Sequence, residues 1–189
     1  LCDSETVTVT IAASNDAPVI STSADPNASE DTAYSYDADV TDADGPGATW
    51  SVLGTDTCGG AIDPATGVYT FTPAGPTPPA SCVLAITVCD GGTPDLCDSE
   101  TVTVTIAAGN DAPVITTSAD PNASEDVAYS YDANVTDADG PGATWSVLGT
   151  DTCGGAIDAA TGVYSFTPAG PSPPASCVLA ITVCDGGTP

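Results

Sequence analysis

Apolar and polar positions alternate with period two along the chain and never with the helical period of 3.6, which predicts strands throughout. Val7, Val9 and Ile11 alternate with Thr6, Thr8 and Thr10, and the pattern returns as Val102, Val104 and Ile106. From 32 to 40, Tyr34, Tyr36, Ala38 and Val40 alternate with Ala33, Ser35, Asp37 and Asp39. Further strands are expected at 18–21, at 48–53 around Trp50, at 68–71, and at 82–89 with Leu84, Ile86 and Val88 on one face. Turn sequences separate them: Asp42-Ala43-Asp44-Gly45-Pro46-Gly47, a hairpin turn at 62–67, a proline-rich loop at 73–79 and a turn at 90–95. About seven short strands in about 95 residues, with a Trp on a middle strand, predict an all-β immunoglobulin-like sandwich.

The second organising feature is repetition. A shift of 95 superposes residues 1–94 on 96–189 with seven mild differences: Ser14/Gly109, Ser21/Thr116, Thr32/Val127, Asp39/Asn134, Pro64/Ala159, Thr70/Ser165 and Thr77/Ser172. Near-identity of neighbours is the mark of a homopolymeric array and argues against a specialised active site in each module. The joint sequence Asn15-Asp16-Ala17-Pro18 breaks the strand pattern, because proline removes a backbone donor and holds the residue before it extended. Three segments follow. Residues 1–16 are a closing strand and joint belonging to a preceding module or a neighbouring subunit, 17–111 are a complete module, and 112–189 are a second module without its closing strand. Either a longer continuous array or head-to-tail strand exchange between subunits accounts for this phase.

Charge narrows the partners. The 189 residues contain no Lys, Arg or His and 26 Asp plus Glu, a formal charge of −26. No side-chain salt bridge can form, and phosphate binding, which needs Lys and Arg, is excluded, so nucleic acid is not a partner. An anionic membrane surface is excluded on the same ground, and no run of about 18 apolar residues would span a bilayer. The complement of such a surface is a metal cation or a high-salt medium. Apolar content of 41% argues against a disordered acidic tail. Eight cysteines in small Thr-, Gly- and Pro-rich modules point to an oxidising, extracellular or cell-surface setting, and without Cys-x-x-Cys or His they do not suggest zinc. The chain opens in mid-strand without Met, which is compatible with a signal peptide upstream.

Strand parity suggests the cysteine pairs. Cys89 lies on the face opposite Leu84, Ile86 and Val88, and Cys97 has the parity of Thr101 and Thr103, so the two point outward across one hairpin. Cys58 and Cys82 remain, tying the segment after the Trp strand to the penultimate strand. Closing loops of about 25 and about nine residues stabilises by roughly 3.5 and 2.6 kcal/mol on the loop-entropy model. The same logic pairs Cys153 with Cys177 and leaves Cys2 and Cys184 for a bond across a junction.

Taken in order, Asn-Asp-Ala-Pro at the joint, Ala-Ser-Glu-Asp before the Tyr strand, Val-Thr-Asp-Ala-Asp-Gly, the hairpin at 61–73, Val-Cys-Asp-Gly-Gly and the closing Val-Thr-Val-Thr-Ile resemble bacterial immunoglobulin-like and cadherin-like tandem modules of giant surface adhesins. The resemblance covers essentially the whole repeat. It implies calcium at the joints, held by a Glu of the upper module, the joint's Asn and Asp, an Asp-x-Asp and a later Asp of the lower module. Carried over, the joint between the two modules would use Glu30, Asn110, Asp111, Asp137, Asp139 and Asp185. The joint at the start would use Asn15, Asp16, Asp42, Asp44 and Asp90. The family's leading linker Asp is Ala13 or Ala108 here, and its Asp-Arg-Glu segment has no counterpart, so the resemblance implies one or two ions per joint. The residue chemistry agrees, since calcium takes six to eight oxygens and Asp-x-Asp sets two carboxylates on one side of an extended turn; the competing reading is that Asp-Ala-Asp-Gly is only a good turn.

Other chemistry is sparse. Trp50 and Tyr36 would stack on sugars if exposed, but on alternating strands they are expected in the core. Asn27, Asn122 and Asn134 open Asn-x-Ser/Thr glycosylation triplets. No His or Lys is present to act as a base, and the acids fall in turns, so an enzyme is not expected. The sequence reads as a structural repeat unit of an extracellular fibre or stalk whose partners are copies of itself. The alternative is an adhesin module that binds surface glycans or another cell, and an accessory domain of a secreted enzyme is the third reading.

Overall fold

The computed structural model describes all residues except Pro46, Pro141, Pro171, Thr188 and Pro189. The chain forms two compact units, Leu1–Ala108 and Gly109–Pro189. Among the described residues every regular element is a strand. The first unit contains β1 (Val19–Ile20), β2 (Asn27–Ser29), β3 (Tyr34–Asp37), β4 (Val40–Thr41), β5 (Thr49–Val52), β6 (Ala61–Ile62), β7 (Val68–Phe71), β8 (Ser81–Cys89) and β9 (Cys97–Ala107). One sheet has the order β2-β9-β8-β5, a second has the order β3-β7-β6, and β1 pairs with β4. The long ladder is β8 with β9, antiparallel from Ser81↔Thr105 to Cys89↔Cys97, and β2 joins β9 in parallel.

The core lies between the sheets because period-two alternation gives each strand one apolar face. Tyr34, Tyr36, Tyr69 and Phe71 from one sheet meet Trp50, Leu84, Ile86, Val88, Val104 and Ile106 from the other. Leu84, Ile86, Val88 and Val104 are fully buried, and each such side chain stabilises by about 1.5–3 kcal/mol relative to exposure. The strand expected over 32–40 keeps its alternation but divides into β3 and β4. The ladder breaks because the Ala38 N–H donates to the Gly67 carbonyl and the Asp39 N–H to Thr22 Oγ1. Strands β2 and β6 were not expected; at three and two residues they are too short to leave a periodic signal. Gly67 closes the β6–β7 turn at φ +78°, and a Cβ there would press on the Ala38 carbonyl and the Trp50 indole.

Polar groups reinforce this core. The Tyr69 hydroxyl donates to Asp56 Oδ1 at 2.8 Å and accepts the Gly60 N–H, while the same Asp56 carboxylate takes the N–H groups of Ala85 and Gly59. Closing strand β9 also sends an acid inward: Glu100 accepts the Tyr36 hydroxyl at 2.6 Å and the Ala24 N–H at 3.1 Å. Disulfides join Cys58 to Cys82 and Cys89 to Cys97, the latter pair opposed in the β8–β9 register.

The second unit contains β10 (Val114–Ile115), β11 (Tyr129–Asp132), β12 (Val135–Thr136), β13 (Thr144–Val147), β14 (Ala156–Ile157), β15 (Val163–Phe166) and β16 (Ile181–Cys184). Its β11-β15-β14 sheet matches β3-β7-β6, whereas the other sheet is reduced to β13-β16. Cys153 is bonded to Cys177, and Tyr164 repeats the clasp by donating to Asp151 at 2.8 Å. Cys2 and Cys184 are exposed thiols. Residues 1–17 carry no strand, and Val7, Val9 and Ile11 are exposed by 68%, 77% and 90%.

Tyr69→Phe removes the hydroxyl from a half-buried carboxylate and a backbone donor, so it is expected to destabilise the first unit by about 1–3 kcal/mol in urea unfolding. In the second unit, burial and then the bond to Asp151 push the Tyr164 hydroxyl up to about 12. A folded value above the unfolded one, near 10, leaves this contribution intact below about pH 10 and removes it as pH rises toward 12. Tyrosinate absorbance followed from pH 9 to 13 is expected to show this late titration together with loss of fold.

Candidate metal centre

At one end of the first unit three strand termini converge. Val19 opposes Thr41 and Ile20 opposes Val40 in the β1–β4 pair. Continued outward, that antiparallel register sets Asp16 opposite Asp44, and the Asp16 N–H indeed donates to Asp44 Oδ2 at 2.6 Å. The Asp44 N–H in turn donates to Asp42 Oδ1 at 3.0 Å, an Asx turn that the Asp-Ala-Asp-Gly sequence encodes. Asp90, the first residue after β8, receives the Asn15 side-chain amide on Oδ2 at 2.7 Å, and the same amide reaches the Pro94 carbonyl. Pro18, fully buried beside this joint, fixes where the chain enters β1.

Asp90 is the most enclosed of these acids, 9% exposed. The N–H groups of Gly92 and Leu96 converge on its Oδ1 and, with the Asn15 amide, hold its carboxyl below the usual carboxylate range. Gly92 is required by this packing, since a Cβ would run into the Asn15 amide.

The second unit repeats the arrangement. The Asp111 N–H donates to Asp139, the Asp139 N–H to Asp137 Oδ1 at 3.1 Å, the Asn110 amide to Asp185 Oδ2 at 3.1 Å and the Gly187 N–H to Asp185 Oδ1 at 3.0 Å. Gly187 is packed against the Asn110 amide as Gly92 is against Asn15. Glu30 belongs to the first unit, where it is 6% exposed and its N–H bonds the carbonyl of Ala107, the last residue of β9. Thus Asn15, Asp16, Asp42, Asp44 and Asp90 are brought together in one unit, as are Asn110, Asp111, Asp137, Asp139 and Asp185 in the other.

The donor set is all oxygen, carboxylate and amide, the chemistry that suits calcium, and the backbone N–H bonds keep Asp90 ionised as a ligand must be. The acids are gathered by hydrogen bonds and not closed to a coordination shell: among the described residues the one trio of candidate ligand atoms within 4.8 Å is Cys89, Asp95 and Cys97, whose sulfurs are spent in a disulfide. Of the other residues singled out from the sequence, Trp50 and Tyr36 are buried and cannot stack on sugars, while Asn27, Asn122 and Asn134 are exposed. The inward acids of β9 were missed. Their signal was parity, because Asp98 and Glu100 fall in phase with Val102, Val104 and Ile106; Asp98 accepts the Ile20 N–H at 2.9 Å.

No family model matches the chain, and no curated protein does. Among solved structures the chain is similar to EC1-2 of human protocadherin-24, with a TM-score of 0.50 and 15% identity over 79% of this chain and 76% of that one. It is also similar to EC22-24 of mouse cadherin-23 (TM-score 0.49, 17% identity, 80% of this chain and 54% of that one). Extracellular cadherin domains 3-6 of protocadherin gamma B2 match 90% of this chain at TM-score 0.48 and 19% identity, and the chain spans about half of that structure, 48%. At such identities the likeness concerns the fold, a cadherin-like β-sandwich.

Because the folded value of Asp90 lies below the unfolded one, its contribution is fully present above about pH 4 and is lost as pH falls through the folded value. Urea unfolding from pH 6 to pH 2 is expected to show stability falling in this window, with Asp90→Ala flattening the fall. Gly92→Ala is expected to displace Asn15 and weaken the same joint at neutral pH.

Proposed function

We propose that this chain is a structural repeat unit of an extracellular fibre or cell-surface stalk, its modules joined head to tail by chain continuity or strand exchange and stiffened by disulfides and calcium at the joints. The observation that supports this best is recurrence: two units of near-identical sequence carry the same Asn-Asp, Asp-x-Asp and Asp donors at the same strand ends. Disulfides within each unit favour an oxidising, extracellular setting. In a chain with no Lys, Arg or His, a divalent ion is the natural counter-charge for these acids.

Asn15, Asp16, Asp42, Asp44 and Asp90 would hold calcium at one joint, and Glu30 with Asn110, Asp111, Asp137, Asp139 and Asp185 at the next. Bound there, calcium supplies positive charge that relieves repulsion and fixes the joint angle. The role is mechanical and not catalytic. The adhesive alternative loses its most obvious sugar-stacking groups, because Trp50 and Tyr36 are core residues.

Calorimetric titration of the 189-residue chain with calcium is expected to show uptake with Kd on the order of 10⁻⁴–10⁻³ M, as for extracellular modules. Asp42→Asn/Asp44→Asn should weaken uptake, and chelation should lower Tm. No heat of binding together with an unchanged Tm would rule calcium out. Electron microscopy of the native assembly is expected to show filaments with a regular axial repeat; isolated compact particles would rule out the fibre.

A further inference from the structure

We propose that the outer face of the β2-β9-β8-β5 sheet is a site of covalent modification, with the hydroxyls of Thr101, Thr103 and Thr105 on β9 as acceptors of uncharged O-linked sugar. The inference rests on the extracellular setting proposed above and needs neither the calcium nor the fibre.

The first observation is a missing charge. The chain has 26 acids, yet among the described residues the outer face of its four-stranded sheet carries none. Pairing and alternation decide which side chains face out. Leu84, Ile86 and Val88 of β8 are fully buried, and Val102, Glu100 and Asp98 lie opposite them on β9 and share their inner face. Both acids of β9 are thereby turned in, where Glu100 accepts the Tyr36 hydroxyl and Asp98 the Ile20 N–H. Ser99, Thr101, Thr103 and Thr105 take the outer face, and all four are exposed. The outward positions beside them on β8 and β5 are Ser, Val, Ala, Thr and Cys, and those on β2 are Asn27 and Ser29.

The second observation is that the hydroxyls of this row have no part in the fold. Elsewhere in the unit, hydroxyls with a structural task are tied to the backbone: Thr87 donates to the Asp98 carbonyl, and Thr57 Oγ1 accepts the Val83 N–H. The side chains of Ser99, Thr101, Thr103 and Thr105 make no hydrogen bond to any described residue. On a strand that rises about 3.4 Å per residue, successive members of the row stand about 6.8 Å apart, so a substituent on one leaves the next within reach.

Left bare, such a face invites association. From Thr101 to Ala107 the strand has seven residues with neither charge nor proline, and the Thr methyls with half-buried Val83 beside them form a surface on which another sheet can stack. A sugar is bulky, hydrated and uncharged, so it keeps a second sheet away without adding to a charge of −26. Phosphate on the same hydroxyls would add about −1.5 to −2 per site in a chain with no Lys, Arg or His to pair with it. Asn27 opens a glycosylation triplet on the same face, but its amide is tied to Asp25 Oδ1 at 3.1 Å, which leaves the Thr hydroxyls as the freer acceptors.

The transfer is a substitution with no redox change. Thr Oγ attacks the anomeric carbon of a nucleotide-linked or lipid-linked sugar held by an external transferase. The new C–O bond forms as the bond from that carbon to the donor's phosphate breaks, and the hydroxyl proton passes to a base of the transferase. Phosphate leaves with the electron pair.

The test uses the protein from its native source, cut before Asp because there is no Lys or Arg for trypsin. Cuts before Asp98 and Asp111 give residues 98–110, which hold the whole row. This peptide is expected to be heavier than its sequence by whole sugar residues, to lose them on alkaline β-elimination and to place them on the Thr row in electron-transfer fragmentation. Made in the same host, the Thr101→Ala/Thr103→Ala/Thr105→Ala chain should yield the peptide without the added mass. Three bare threonines, phosphate in place of sugar, or sugar confined to Asn27 overturns the inference. Each of those results leaves calcium uptake and filament formation to be decided by their own measurements.

Discussion

The interaction on which the first unit depends is the pairing of β8 with β9. Nine opposed pairs, from Ser81↔Thr105 to Cys89↔Cys97, bring Val104 and Ile106 into the core, carry Glu100 to the Tyr36 hydroxyl and set two sulfurs side by side. The second unit shows what the fold retains without that pairing. The β11-β15-β14 sheet and the Tyr164–Asp151 clasp persist, because all their strands and the disulfide-anchored loop lie within the unit itself and none of them pairs with the closing strand. The other sheet shrinks to two strands, and Leu179, Ile181 and Val183 are half-buried where Leu84, Ile86 and Val88 are fully buried, while Trp145 stays in the core. One sheet of this sandwich is thus formed without the closing strand, and the other depends on it.

A chain with acids and no basic side chains has to settle its negative charge by other means, and backbone N–H groups do most of it. Asp63 accepts from Ala65 and Thr66, Asp158 from Ala160 and Thr161, and Asp90 from Gly92 and Leu96, each carboxyl being held below its ordinary range by those bonds. Asp42 and Asp90 in the first unit, and Asp137 and Asp185 in the second, use the same turn bonds at the strand ends where the acids gather. The calcium proposed above would use the same residues that make these turns, so the Asp-Ala-Asp-Gly sequence by itself does not separate the two readings.

Much of the sandwich was legible from alternation alone. The Tyr34/Tyr36 face, the Leu84/Ile86/Val88 face and the outward Cys89–Cys97 pair all follow from parity along single strands. Less legible was anything that depends on a break in a ladder. The division between β3 and β4 is made by Thr22 and Gly67, distant in sequence, and β2 exists only because β9 lies beside it. At the acidic end, the convergence of Asn15, Asp16, Asp42 and Asp44 follows from the β1–β4 register, but the role of Asn15 as a clasp for Asp90 is tertiary. The tyrosine–aspartate clasps were unreadable for the same reason, since Asp56 sits in a stretch with no period of its own.

Strand β9 has neighbours on both sides, antiparallel β8 and parallel β2, and the chain leaves it at Ala107. Tension applied to the chain beyond that residue runs along the strand, so it loads the flanking hydrogen bonds together in shear and does not peel them one at a time. At the far end of the same strand the Cys89–Cys97 bond ties it to β8, so β9 cannot slide out unless β8 moves with it or sulfur chemistry intervenes. In the first unit a pull on the chain would thus fall on its longest ladder and on a covalent stop.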